Sequence, residues 1–69
     1  MFYFFQKGPD YLRCELRGRD DGTYELAIQE PDMAERIERF HSSQEAQRRW
    51  EELQKRFVGD GWFGPYGRE

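Results

Sequence analysis

The chain has 69 residues, of which 36% are hydrophobic, 17% aromatic and 36% charged, with eleven Lys and Arg against fourteen Asp and Glu. This length limits it to one domain, residues 1–69, and no stretch approaches the roughly 20 apolar residues that a membrane span needs. The aromatic content excludes a disordered composition, and the net charge of −3 argues against the basic footprint of a duplex-DNA binder.

Residues 2–6, Phe2-Tyr3-Phe4-Phe5-Gln6, are aromatic on both alternating faces and read as a strand, closed by the turn Lys7-Gly8-Pro9-Asp10. Residues 11–17 alternate strictly, with Leu12, Cys14 and Leu16 on one face and Tyr11, Arg13, Glu15 and Arg17 on the other. A period of two predicts a half-buried strand. Gly18 to Gly22 form a hairpin loop, with Asp21-Gly22 placed for positive φ. Residues 23–29 repeat the alternation, turning Tyr24, Leu26 and Ile28 inward.

Residues 30–40 admit two readings. Pro31-Asp32 opens a helix carrying Met33, Ile37 and Phe40, or it turns into a fourth strand over 35–40. Ser42-Ser43-Gln44-Glu45 decides for the strand, because it is a capping box that starts a new helix at Ser42. That helix spans about 43–58, with Ala46, Trp50, Leu53 and Phe57 on one apolar stripe. Glu45–Arg49, Glu51–Lys55 and Glu52–Arg56 stand at i,i+4 spacing for ion pairs. Gly59 is the expected left-handed C-cap. The tail over 59–69 is too glycine-rich for a helix, and it is expected to fold as an ordered loop that returns Trp62 and Phe63 to the core.

The fold class is therefore α+β: an antiparallel meander of three to four strands packed on one C-terminal helix, in the order ββββα. Cys14 is the only cysteine, which excludes an internal disulfide framework and fits a reducing, cytoplasmic location. No basic-then-apolar pattern predicts a signal peptide. A domain of this size buries only about 60% of its unfolded surface, so an aromatic core or a second subunit must help. In a simple meander the first strand lies at an edge, and a hydrophobic edge is a pairing template. The expected interface of a homodimer is thus Phe2, Tyr3, Phe4 and Phe5, with Trp62 and Phe63 as a second patch; the alternative is that the aromatic tail, Trp62 to Tyr66, covers this edge within one chain.

The chemistry-bearing residues are few. His41 is the only histidine and has no partner at metal-ligand spacing. Cys14 alternates with leucines and reads as a buried small hydrophobe. Ser42 and Ser43 are accounted for as helix caps. No nucleophile elbow, P-loop or dinucleotide fingerprint is present. No catalytic residue, metal site or cofactor is expected. One face of the sheet is expected to hold Tyr3, Phe5, Tyr11, Arg13 and Arg17, joined by Arg48 and Arg49. Aromatics interleaved with arginine hold single strands by stacking and phosphate neutralisation.

The ββββα order resembles the Whirly and transcriptional-coactivator single-stranded-DNA-binding proteins. That likeness implies nucleic-acid binding by an oligomer. The segments Glu35-Arg36-Ile37-Glu38-Arg39-Phe40 and Asp60-Gly61-Trp62-Phe63-Gly64-Pro65 are similar to short bacterial proteins to which no function attaches. The expected function is a small non-enzymatic module for binding another protein, with self-association. Single-stranded nucleic-acid binding is the alternative.

Overall fold

The computed structural model describes residues 1–68, with Arg68 described in its backbone only. Five strands and one helix follow in chain order: β1 (Phe2–Lys7), β2 (Asp10–Gly18), β3 (Tyr24–Gln29), β4 (Arg36–Phe40), α1 (Ser43–Gly59) and β5 (Phe63–Arg68). They form one antiparallel sheet in the order β4-β3-β2-β1-β5. The four-stranded meander and the helix fold as the sequence predicts. β5 is the addition, and it moves β1 from the expected edge to the interior of the sheet.

The two-residue turn Gly8-Pro9 sets the pairing of the first hairpin. It closes Lys7 against Asp10, and the ladder then runs Phe5↔Leu12, Tyr3↔Cys14, Phe4↔Arg13 and Phe2↔Glu15. Residues opposite each other in an antiparallel pair share a face. Tyr3 and Phe5 therefore join Leu12 and Cys14 under the helix, while Phe2 and Phe4 join Arg13 on the other side. This reverses the expected sidedness of β1. On the other side of β2 the register is Cys14↔Ile28 and Leu16↔Leu26, as the alternation requires.

Between β3 and β4, Glu30 to Met33 turn tightly. The Met33 amide donates to the Glu30 carbonyl at 3.3 Å, and Asp32 sits at φ 59° behind Pro31. Proline followed by a positive-φ residue is the type II arrangement. The turn resolves residues 33–40 in favour of the strand.

The Ser42 side chain accepts from the Glu45 amide at 3.2 Å, which starts α1 as expected. Ala46, Trp50, Leu53 and Phe57 are buried on the sheet. The helix ends differently from the expectation. Gly59 is its last residue, Asp60 is the C-cap at φ −85°, and the left-handed residue is Gly61 at φ 96°. The Trp62 amide donates to the Phe57 carbonyl at 3.0 Å and the Gly61 amide to the Val58 carbonyl at 3.1 Å. Those two bonds define a Schellman motif, with Trp62 and Phe57 as its apolar pair.

That cap directs the chain back along β1. β5 pairs Phe4 with Tyr66 and Gln6 with Phe63, with a register shift between them. At Gly64 (φ 146°) a methyl group would stand 2.9 Å from the Phe5 ring and 3.0 Å from the Phe4 carbonyl oxygen. Glycine lets the two strands approach there, and proline at the next position is tolerated because the strand is an edge. The residues that make the tail look unlike a strand are the ones this bulged edge uses. Glu69, the end of the expected tail, lies outside the described residues.

The core comprises Phe5, Leu12, Cys14, Leu26, Ile28, Trp50, Leu53 and Phe57, with Tyr3, Leu16, Phe40 and Trp62 packed at its margin. Phe5 meets Trp50 and Phe57 edge-on at ring separations of 6.0 and 5.3 Å. Such contacts add about 0.5–1.5 kcal/mol each beyond area burial. Aromatic weight under a single helix is how a chain this short closes its core.

Candidate interface on the helix-free face of the sheet

The face of the sheet opposite α1 has two zones. Phe4 touches Tyr66 of β5 at a ring separation of 5.3 Å and Tyr11 of β2 at 6.3 Å. The Arg13 guanidinium stands 5.5 Å over the Phe2 ring. Phe63, expected to return to the core, instead pairs with Gln6 and extends this zone at the exposed edge. Phe2 and Phe4 are half-buried by their neighbours, whereas Phe63 is 69% exposed, Tyr11 58% and Tyr66 48%. Strand pairing alone positions the cluster, since β5, β1 and β2 lie side by side.

The second zone is ionic. Glu25 is 2% exposed although it lies on the open face. Arg39 Nε of β4 contacts its carboxylate at 3.0 Å, Arg19 at 3.2 Å and Arg17 at 3.9 Å. Three guanidinium groups around one carboxylate supply what a desolvated anion requires. Arg17 also places Nε 3.1 Å from Glu15, but off the line of a hydrogen bond. Arg17, Arg19, Asp20, Asp21 and Glu25 border a shallow open concavity at the β2–β3 loop. Its mixed charges satisfy each other. Thr23 holds Asp21 through its amide and hydroxyl, at 3.0 and 2.6 Å, and these bonds keep the Asp21 carboxyl below its ordinary range.

The predicted site residues divide between the two faces. Phe2, Phe4, Phe63, Tyr11, Arg13 and Arg17 share the helix-free face. Tyr3, Phe5 and Trp62 pack into or against the core and are not available to a partner. Lys7 Nζ crosses the Trp62 ring at 4.9 Å and donates to the Asp60 carbonyl at 3.0 Å, sealing that end. Arg48 is exposed on α1, on the far side of the molecule. Arg49 binds Glu38 of β4 through two nitrogens at 2.8 and 3.2 Å, and it reaches Glu52 at 3.4 Å. This pairing raises the Arg49 pKa and holds the Glu38 carboxyl below its usual range. Among the described residues it replaces the expected Glu45–Arg49 pair, and neither Glu51–Lys55 nor Glu52–Arg56 forms.

Tyr66 lies in the aromatic tail that the alternative to dimerisation places over β1, and it does cover β1. That the tail does so as a strand has no sequence signal, because a glycine- and proline-rich segment carries no strand pattern. The sidedness of Phe2 and Phe4 had one. A two-residue turn at Gly8-Pro9 forces Phe5 opposite Leu12.

Cys14 is fully buried, and desolvation pushes its thiol up to about 12. His41 is exposed. Among the described residues no three of His, Cys, Asp and Glu are grouped to hold a metal ion. No helix among them is long and apolar enough to cross a membrane. Comparison of the chain with protein-family models, curated proteins and solved structures found no match.

Proposed function

We propose that this chain is a small non-enzymatic binding module that docks another protein on the helix-free face of its sheet. The observation that carries this reading is the uncovered cluster of Phe2, Phe4, Tyr11 and Tyr66 on the face opposite α1. Contiguous exposed apolar surface on a small domain marks an interaction site. Tyrosine with an adjacent arginine is the composition of interface hot spots. The partner contributes apolar side chains over Phe4 and an acidic or carbonyl group toward Arg13. Self-association is part of the proposal, and the buried, inert Cys14 suits a reducing cytoplasm.

Single-stranded nucleic acid is the second reading, supported by the stacking of Arg13 on Phe2 beside exposed tyrosines. Electrostatics ranks it lower. Arg17, Arg19 and Arg39 are committed to Glu25, which leaves Arg13 the one described arginine of this face outside an ion pair. Single-strand grooves track the backbone with several cations.

The test is fluorescence anisotropy of a labelled mixed-sequence single strand, alongside affinity capture with wild type and Phe4→Ser. A flat titration at low salt, with captured proteins lost in Phe4→Ser, is expected. Tight binding that weakens steeply with salt would transfer the face to nucleic acid.

A further inference from the structure

We propose that β4 is a self-recognition edge: a second copy of this chain adds to it antiparallel, about a two-fold axis passing between the two Ile37 residues. The inference concerns the self-association within the proposed function and is independent of what docks on the aromatic cluster. The sheet order leaves two free edges, β4 and β5. β5 is a poor template, because Pro65 has no amide hydrogen and the strand is bulged against β1. β4 carries neither defect. It pairs with β3 in unbroken register from Phe40 to Arg36.

The occupant is identified by charge complementarity. The segment around β4 reads Glu35-Arg36-Ile37-Glu38-Arg39. Laid antiparallel on itself about Ile37, Glu35 faces the partner's Arg39 and Arg36 faces the partner's Glu38. The two-fold repeats both pairs, and Ile37 packs on the partner's Ile37. Opposite charges directly across an antiparallel ladder stabilise it and like charges oppose it. Sliding by one residue in one direction sets Glu35 against the partner's Glu38, and in the other Arg36 against the partner's Arg39. Sliding by two sets Glu38 against the partner's Glu38, or Arg36 against the partner's Arg36. Charges on an edge ordinarily prevent pairing. This set prevents every neighbouring register and favours one.

Glu35, Ile37 and Arg39 are free enough to take part. Glu38 is already held by Arg49, and Arg36 lies beside Glu30 and Glu38 of its own chain, so the Arg36–Glu38 pair between copies joins an existing ionic network. Glu35 makes no ion pair among the described residues, Ile37 is 44% exposed, and Arg39 keeps 72% of its side-chain surface while touching Glu25. The two-fold is normal to the sheet, so both helices lie on one side. The two aromatic clusters then lie on the other face, at opposite ends of one ten-stranded sheet.

Site-directed cross-linking of the full chain tests the register. Opposed residues in an antiparallel pair have Cα atoms about 4.5–5.5 Å apart, within disulfide reach. Ile37→Cys is therefore expected to give a covalent dimer under mild oxidation that reductant reverses. Glu35→Cys, offset from its own copy by four residues or about 13 Å, is expected to give at least tenfold less. The native thiol of Cys14 is buried and does not interfere. Glu35→Lys faces the partner's Arg39 and is expected to raise the dimer dissociation constant about tenfold or more in sedimentation. Equal yields at the two positions, or a monomer at all concentrations, would overturn the proposal. Phe4→Ser added to Ile37→Cys is expected to leave the yield unchanged. A fall to the Glu35→Cys level would overturn it in favour of contact through the aromatic face.

Discussion

Replacing Gly64 by alanine tests how β5 is attached to the sheet, and with it the position of Tyr66. The added methyl would lie 2.9 Å from Cδ1 of Phe5 and 3.0 Å from the Phe4 carbonyl oxygen. Neither atom has room to move. The Phe5 ring is fully buried between Trp50 and Phe57, and the carbonyl belongs to an interior strand. Overpacking a core by one methyl costs about 1–3 kcal/mol. A φ of 146° suits alanine poorly, and such backbone strain costs about 1–3 kcal/mol more. The expected loss is thus about 2–6 kcal/mol. A domain of this size has a total of about 3–10 kcal/mol, at 0.05–0.15 kcal/mol per residue. Urea unfolding followed by tryptophan emission reads the result, since Trp50 and Trp62 both pack on the core. The expected outcome is a midpoint lowered by at least about 0.7 M, at the 1–3 kcal/mol per molar typical of small domains, or loss of the cooperative transition. A change below about 0.5 kcal/mol, the size of an ordinary surface substitution, would refute the close approach of β5 to Phe5.

The two glycines at the end of α1 separate the Schellman cap from an earlier stop. Gly59→Ala meets no atom within 4 Å and is expected to raise stability by up to about 1 kcal/mol, as alanine does for glycine in a helix. Gly61→Ala, at φ 96°, is expected to lower it by about 1–2 kcal/mol. Thermal melts of the two variants check this, and the opposite order would move the cap to Gly59. Glu38 is held ionised by Arg49, so its folded pKa lies below its unfolded value. Its contribution is full above the unfolded value of about 4.3 and is lost as pH falls through the folded one. Wild type is expected to lose this increment on acidification below about pH 5, while Glu38→Gln lacks it throughout; parallel pH–stability curves would contradict the assignment. Phe5→Ala is expected to cost about 3–5 kcal/mol, and Phe4→Ser much less. Comparable losses in urea titrations would return β1 to the opposite sidedness.

Most of the meander was legible because its signals are local. The alternation of Leu12, Cys14 and Leu16, the Asp21-Gly22 hairpin and the Ser42 cap each depend on neighbours in sequence. The stripe of Ala46, Trp50, Leu53 and Phe57 is the same kind of signal at helical period. β5 was not legible, because Gly64 and Pro65 lower strand propensity and only the Schellman turn at Gly61, by returning the chain along β1, makes a strand of it. The faces of β1 were ambiguous on composition, since aromatics occupy all four positions from Phe2 to Phe5. The turn at Gly8-Pro9 decides between them. Glu25 alternates with the inward Tyr24, Leu26 and Ile28 as a solvent-facing charge would, and its burial depends on arginines from two strands and a loop.

The helix-free face carries the central claim, and photo-cross-linking from it is the most direct measurement. A benzophenone side chain placed at Tyr66 is expected to capture a defined protein partner whose yield falls sharply when Phe4→Ser is added. The same probe at Arg48, on the exposed side of α1, is expected to capture none of it. Equal capture from both positions, or a yield from Tyr66 that Phe4→Ser does not change, would contradict docking on the aromatic cluster.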